Sequence, residues 1–182
     1  MKKEGLFLKT GLIHIYCGDG KGKTTAATGL AVRAAGAGYR VLIARFLKND
    51  RSAELASLAR IPGIDILPAE KEFGFIFSKD NPVLEEARDY FSGYFELAVR
   101  KAAEEHYDML ILDEINAAVT YGIVEKDLLI SFLTGKPAEL EVILTGRNPA
   151  AEVAELADYI SEIRCLKHPY SRGIRAREGI EF

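Results

Sequence analysis

The 182-residue chain reads as an α/β protein: a parallel sheet of about five to six strands with helices on both faces. Three observations predict this. Short, continuous apolar runs alternate with stretches of helical period, the pattern of parallel strands buried on both sides. A glycine-rich loop follows the first apolar run and opens the first helix. A later apolar run ends in two acidic residues, Asp113 and Glu114.

Leu12-Ile13-His14-Ile15-Tyr16 is the first strand. A small-residue helix over 24–35 follows and is closed by Gly36-Ala37-Gly38. Residues 41–46 form a second strand, 52–59 a short helix and 64–67 a third strand. From Asn81 the pattern is helical, with Asn81 as N-cap and Pro82 at the first helical position. Leu84, Ala87, Phe91, Tyr94 and Ala98 then recur at helical spacing. Met109-Leu110-Ile111-Leu112 is the fourth strand, and residues 128–133 belong to a helix ended by Gly135 and Pro137. Residues 141–145 form a fifth strand, Asn148-Pro149 opens a helix to Ala157, and residues 159–166 form a last strand. No repeat or linker divides the chain, so residues 1–182 read as one domain.

Composition narrows the function. The net charge of −3, with no face-sized basic block, gives no reason to expect nucleic acid as a partner. Basic residues do gather late, at Arg164, Lys167, Arg172, Arg175 and Arg177, as a solvated tail or as contacts to a negatively charged substrate. Cys17 and Cys165 have no CxxC spacing, which argues against a disulfide framework or structural zinc; both read as buried, inert thiols. The start has no signal-peptide core and no run reaches membrane-spanning length, so a cytoplasmic protein without membrane attachment is expected.

The loop Gly18-Asp19-Gly20-Lys21-Gly22-Lys23-Thr24-Thr25 lies between a strand and a helix, the context a phosphate loop requires. Glycines let backbone N–H groups converge on phosphate oxygens, and the helix N-terminus adds partial positive charge. Lys23 would reach phosphate oxygens and the Thr24 hydroxyl would ligate Mg2+ (or Mn2+). The fold is therefore P-loop NTPase-like. Cys17 stands where the strict pattern wants its first glycine. Asp113 and Glu114 are the carboxylates expected beside the metal, either directly or through water. Thr145-Gly146-Arg147 places Arg147 at the same sheet edge, as a phosphate or substrate contact or as a surface arginine.

The loop, extended through Ala26-Ala27, resembles that of the P-loop ATP:corrinoid adenosyltransferases, which act on cob(I)alamin or cob(I)yrinic acid a,c-diamide. Leu112-Asp113-Glu114, Thr145-Gly146-Arg147 and Glu155-Leu156-Ala157-Asp158 agree with that family. The ending, Lys167-His168-Pro169-Tyr170 with Gly173-Ile174, Ala176 and Gly179-Ile180-Glu181-Phe182, is the most specific match, since a general NTPase has no reason to carry it. The resemblance implies that Co(I) of a reduced corrinoid attacks the 5′ carbon of ATP and triphosphate leaves. The protein positions the reactants and stabilises the leaving group through Lys23, Thr24 and Glu114. It further implies a reversed ATP, which Cys17 and the second lysine, Lys21, fit, and a tail over 167–182 that completes the active site.

Gly74-Phe75-Ile76-Phe77 resembles the family's Gly-Phe-x-Trp segment, with phenylalanine in place of tryptophan. There Phe75 and Phe77 would pack against the corrinoid and displace its lower axial ligand, easing reduction of Co(II). Composition alone reads the same aromatics, within 72–77, as core packing. The family also implies a homodimer and an electron-donating flavoprotein. The roughly ten residues before the first strand are too few for the covering helix that some relatives carry. The rival readings are a P-loop kinase or ATP hydrolase, and a non-catalytic nucleotide switch. Thymidine kinases of similar size carry a four-cysteine zinc site that two cysteines cannot build.

Overall fold

The computed structural model describes residues 10–48, 52–71, 73 and 83–181. Along the chain these give β1 (Ile13–Cys17), α1 (Lys23–Gly36), β2 (Val41–Arg45), α2 (Glu54–Leu58), β3 (Ile64–Ile66) and α3 (Leu84–Glu104). There follow β4 (Met109–Asp113), α4 (Ile115–Thr120), α5 (Lys126–Gly135), β5 (Glu141–Thr145), α6 (Ala151–Glu155), β6 (Tyr159–Glu162) and a 3-10 turn (Pro169–Arg172). The strands make one sheet in the order β3-β2-β4-β5-β1-β6, and every pairing is parallel.

Continuous apolar strands divide their side chains between two cores because successive residues point to opposite faces. On one face Leu42, Ala44, Leu110, Leu112, Val142 and Leu144 pack with α3, α4 and α5 residues. On the other, Val41, Ile43, Met109, Ile111 and Ile143 pack against Ala27, Ala31 and Ala34 of α1 and Leu58 of α2. The alanine stripe lets α1 lie close across the middle of the sheet, so its N-terminus sits over the carboxyl edge. The helical spacing read along α3 holds: Leu84, Ala87, Phe91, Tyr94 and Ala98 are all buried. Tyr94 carries its hydroxyl inside and donates it to the Leu67 carbonyl at 2.9 Å, as a buried phenol must.

Several boundaries differ from the sequence reading. The proposed cap Asn81-Pro82 lies outside the described residues, and the described helix begins at Leu84. Asn148 is not an N-cap: it takes a left-handed backbone at φ 49°, and α6 starts at Ala151 after Ala150. The last strand stops at Glu162, not Leu166, and all four of its residues are exposed. Helix α4 has no counterpart in the sequence reading, being only six residues long and lacking a side-chain cap. Cys165 is half-exposed, not buried, whereas Cys17 is inside.

Candidate active site

The phosphate loop leaves β1 at Gly18 (φ 98°) and enters α1 through Gly22. Lys23 is only 8% exposed, and its ammonium donates to the carbonyls of Gly18 (2.8 Å) and Gly20 (2.9 Å). Burial pulls the Lys23 amine below its ordinary pKa, with Glu114 acting in the opposite direction. Cys17 is the last residue of β1 and its side chain belongs to the core, so the departure from the standard pattern reflects a strand residue rather than a loop residue.

The loop is fastened to the chain after β6. Gly20 N donates to the Ile163 carbonyl at 2.8 Å, and Asp19 Oδ1 accepts from Cys165 N at 3.0 Å. That backbone N–H holds the Asp19 carboxyl below the usual range. The approach leaves no room for side chains. A Cβ on Gly18 would lie 2.4 Å from the Ile163 oxygen, and one on Gly20 would lie 2.7 Å from it. These two glycines serve the seam with the following segment as well as any ligand. Lys21 and Thr25 are exposed on the loop and line the cleft above it.

Strand order brings the carboxylates to the loop. Along β4-β5-β1 the carboxyl ends present Asp113, Thr145 and the loop in succession. Asp113 is 1% exposed. Its Oδ1 accepts from the hydroxyls of Thr24 (2.9 Å) and Thr145 (2.7 Å), and its Oδ2 accepts from Lys48 Nζ at 2.7 Å. Burial raises the Asp113 pKa, but the Lys48 charge and these hydrogen bonds outweigh it and hold the carboxyl below its ordinary value. Glu114 has left the strand with φ 62°, its N–H donating to Thr145 Oγ1 at 2.8 Å. Its carboxylate stands 3.7 Å from Lys48 Nζ. The two acids therefore differ: Asp113 touches Thr24, while Glu114 faces the cleft.

The Thr24 hydroxyl, the Asp113 carboxylate and Glu114 are hard oxygen donors converging on one point, and that point already holds a cation, the Lys48 ammonium. The set fits a small divalent ion that takes one or two carboxylates and fills its shell with water and phosphate. Among the described residues no cluster of three or more His, Cys, Asp or Glu side chains offers an all-protein cage.

Above the loop opens a cleft of about 960 Å3, whose walls include Lys21, Lys23, Thr24, Glu114 and Arg147. His168, Gly179, Ile180 and Glu181 of the tail line it too. A second cavity of about 370 Å3 adjoins it, sharing Lys23, Leu47, Lys48, Glu114 and Arg147 and reaching Tyr121 and Asn148.

The ATP:corrinoid adenosyltransferase BtuR/CobO/CobP family model matches residues 9–182. The chain belongs to that family. It is 33% identical to the corrinoid adenosyltransferase of Escherichia coli K12 over 94% of this chain and 86% of that protein. Corrinoid adenosyltransferase CobA of Salmonella typhimurium LT2 gives the same identity and coverage. The corrinoid adenosyltransferase of Pseudomonas aeruginosa is 30% identical over 94% of this chain and 84% of its own length. A KaiC-like protein from Pyrococcus horikoshii shares the fold, with a TM-score of 0.58 over 85% of this chain and 73% of that one, at 18% identity.

The adenosyltransferase is thus an enzyme of ATP-dependent corrinoid adenosylation. Its structure gathers Gly18, Asp19, Gly20, Lys21, Gly22, Lys23, Thr24, Thr25, Asp113, Glu114 and Arg147 at one sheet edge. Phe75 and Phe77 lie outside the described residues. Phe73, beside them, packs against Tyr90 and Phe91 of α3, with ring centroids 5.3 and 5.6 Å away. In the basic tail, Arg164 pairs with Glu162 and Arg177 with Glu181, which favours the solvated reading for these two. Lys48 and Thr145 also join this constellation, through hydrogen bonds to Thr24, Asp113 and Glu114, and no sequence motif marks either as a contact. Both stand where a parallel sheet holds ligands, at or just past the carboxyl end of a strand, and that rule was the available signal.

Proposed function

We propose that this adenosyltransferase joins Co(I) of a reduced corrinoid to the 5′ carbon of ATP and releases inorganic triphosphate. The cobalt electron pair forms the Co–C bond while the C5′–O bond breaks and its pair leaves with the α-phosphate oxygen. Lys23, the loop amides and Arg147 stabilise the charge that collects on the leaving group. Thr24 and Asp113 would hold Mg2+, with Glu114 ligating through water, and the bound ion supplies further positive charge to the triphosphate. The ATP lies reversed in the loop, so that its 5′ carbon, not its γ-phosphate, meets the partner substrate. Phe75 and Phe77 would take the corrinoid-contacting role that the family resemblance implies, a flavoprotein delivers the electron, and the working unit is a homodimer.

The observation that carries this reading is the shared cleft. His168, Gly179, Ile180 and Glu181, from the most family-specific stretch of the sequence, wall the same cavity as the generic phosphate loop. A kinase or ATPase aligns the γ-phosphoryl group with its acceptor and yields ADP. Incubation with ATP, Mg2+ and chemically reduced cobalamin is expected to yield triphosphate by phosphorus NMR, with an equal amount of light-sensitive Co–C product. Corrinoid-independent ADP without triphosphate would overturn the reading in favour of ordinary NTPase chemistry.

A further inference from the structure

Lys48 sits on the oxygens that would hold the metal. Its ammonium donates to Thr24 Oγ1 at 2.6 Å and to Asp113 Oδ2 at 2.7 Å, and lies 3.7 Å from Glu114 Oε1. Thr24 and Asp113 are the direct donors of the divalent-ion site proposed above, and Glu114 is its outer carboxylate. The placement follows from the sheet. Arg45, the last residue of β2, is in register with Asp113, so the chain leaving β2 emerges beside the acid. Leu47 then takes a left-handed backbone, φ 56°, which is costly for a branched side chain and turns Lys48 back over the site.

A buried carboxylate cannot stay ionised without compensation. Asp113 is all but inaccessible, while the Lys48 side chain keeps 26% of its surface exposed and lines both cavities. One partner is therefore fixed and the other has room to move. An ammonium and a divalent ion cannot share the Thr24 and Asp113 oxygens at these distances, because two like charges so close repel strongly.

We propose that Lys48 is a displaceable internal counter-ion: it occupies the cation seat in the nucleotide-free protein and yields it to the divalent ion that arrives with ATP. The inference rests on the metal site proposed above. Once displaced, the ammonium remains beside the cleft, where the triphosphate is its natural partner. Two consequences follow. The metal binds weakly without nucleotide, since it must evict a cation. With ATP present it binds tightly, since the evicted cation gains phosphate oxygens.

The test uses Mn2+ and the full chain, reading free Mn2+ by electron paramagnetic resonance. Without nucleotide, Lys48→Met is expected to bind Mn2+ at least about tenfold more tightly than wild type, and Lys48→Arg to stay weak, because only the first removes the competing charge. In the presence of ATP the order reverses, with Lys48→Met weaker than wild type. Should Lys48→Met not fold, amine labelling of wild type read by mass spectrometry provides the second measurement. Saturating Mn2+ is expected to raise modification of Lys48 several-fold. Unchanged Mn2+ affinity in Lys48→Met, or Lys48 labelling that Mn2+ leaves unaltered, overturns the counter-ion role while leaving the metal site standing. Failure of wild type to hold Mn2+ even with ATP overturns both.

Discussion

Thr24 and Asp113 are 89 positions apart in the chain, and the Thr24 hydroxyl donates to Asp113 Oδ1 at 2.9 Å. This bond ties the first turn of α1 to the end of β4 across the intervening β5. Thr145, at the end of β5, donates to the same oxygen. Loop, acid and middle strand are thus one hydrogen-bonded unit.

Lys23→Ala is expected to lower adenosyl transfer by about 10²–10³-fold, the range for removal of one preorganised electrostatic donor. Because the ammonium also bridges the Gly18 and Gly20 carbonyls, stability should fall as well, by about 1–3 kcal/mol. Single-turnover transfer to chemically reduced cobalamin, beside a denaturant titration, reads both. Near-normal turnover in a folded variant would remove Lys23 from the reaction.

Thr145→Val keeps the shape but removes the hydroxyl that donates to Asp113 and accepts from Glu114 N. Leaving buried partners unsatisfied should destabilise the protein by about 1–3 kcal/mol and weaken ATP binding. Thr145→Ser restores the hydroxyl and should recover most of both. Equal losses in Val and Ser variants would point to packing of the methyl group instead.

Gly20→Ala drives a methyl group into the backbone of Ile163 and Arg164. The chain after β6 must shift, at a cost of about 1–3 kcal/mol, and the tail should lose its register over the cleft. Thermal unfolding and susceptibility of the tail to proteolysis measure the two effects. An unchanged melting temperature with an intact tail would show that the seam gives way freely.

Glu141 offers a pH test away from the active site. Its carboxylate accepts from Leu12 N at 2.7 Å and meets His14 Nε2 at 2.6 Å. Burial raises its pKa, but these bonds lower it further, so the folded value lies below the ordinary 4.5. A depressed carboxyl stabilises the fold above its unfolded pKa, and the benefit is lost as pH falls through the folded value. The melting-temperature gap between wild type and Glu141→Gln should be full near neutrality and close progressively below pH 4.5. A gap independent of pH would assign the effect to packing.

Phe75→Ala is expected to impair transfer most when the enzyme starts from Co(II), with a strong reductant that delivers Co(I) largely rescuing it. Equal loss in both assays, with a lower melting temperature, would support a packing role for the ring.

Much of this protein is legible in its sequence because the deciding signals are local. Strand and helix periods, the glycine-rich loop between β1 and α1, and the apolar run into Asp113-Glu114 each depend on neighbours a few residues away. The tail motif identifies the family in the same way, by residue identity alone. No local pattern tells the setting of Asp113 from that of Glu114, since the difference depends on tertiary geometry. Asp113 keeps strand backbone and stays buried beneath Thr24, whereas Glu114 turns out at φ 62°. Nor does any local pattern mark Lys48, whose partners come from α1, β4 and the residue after β4. Strand order alone puts β2 beside β4 and β5 between β4 and β1. That order is set by which apolar faces pack together over the whole chain, so it places side chains that no short window of sequence can pair.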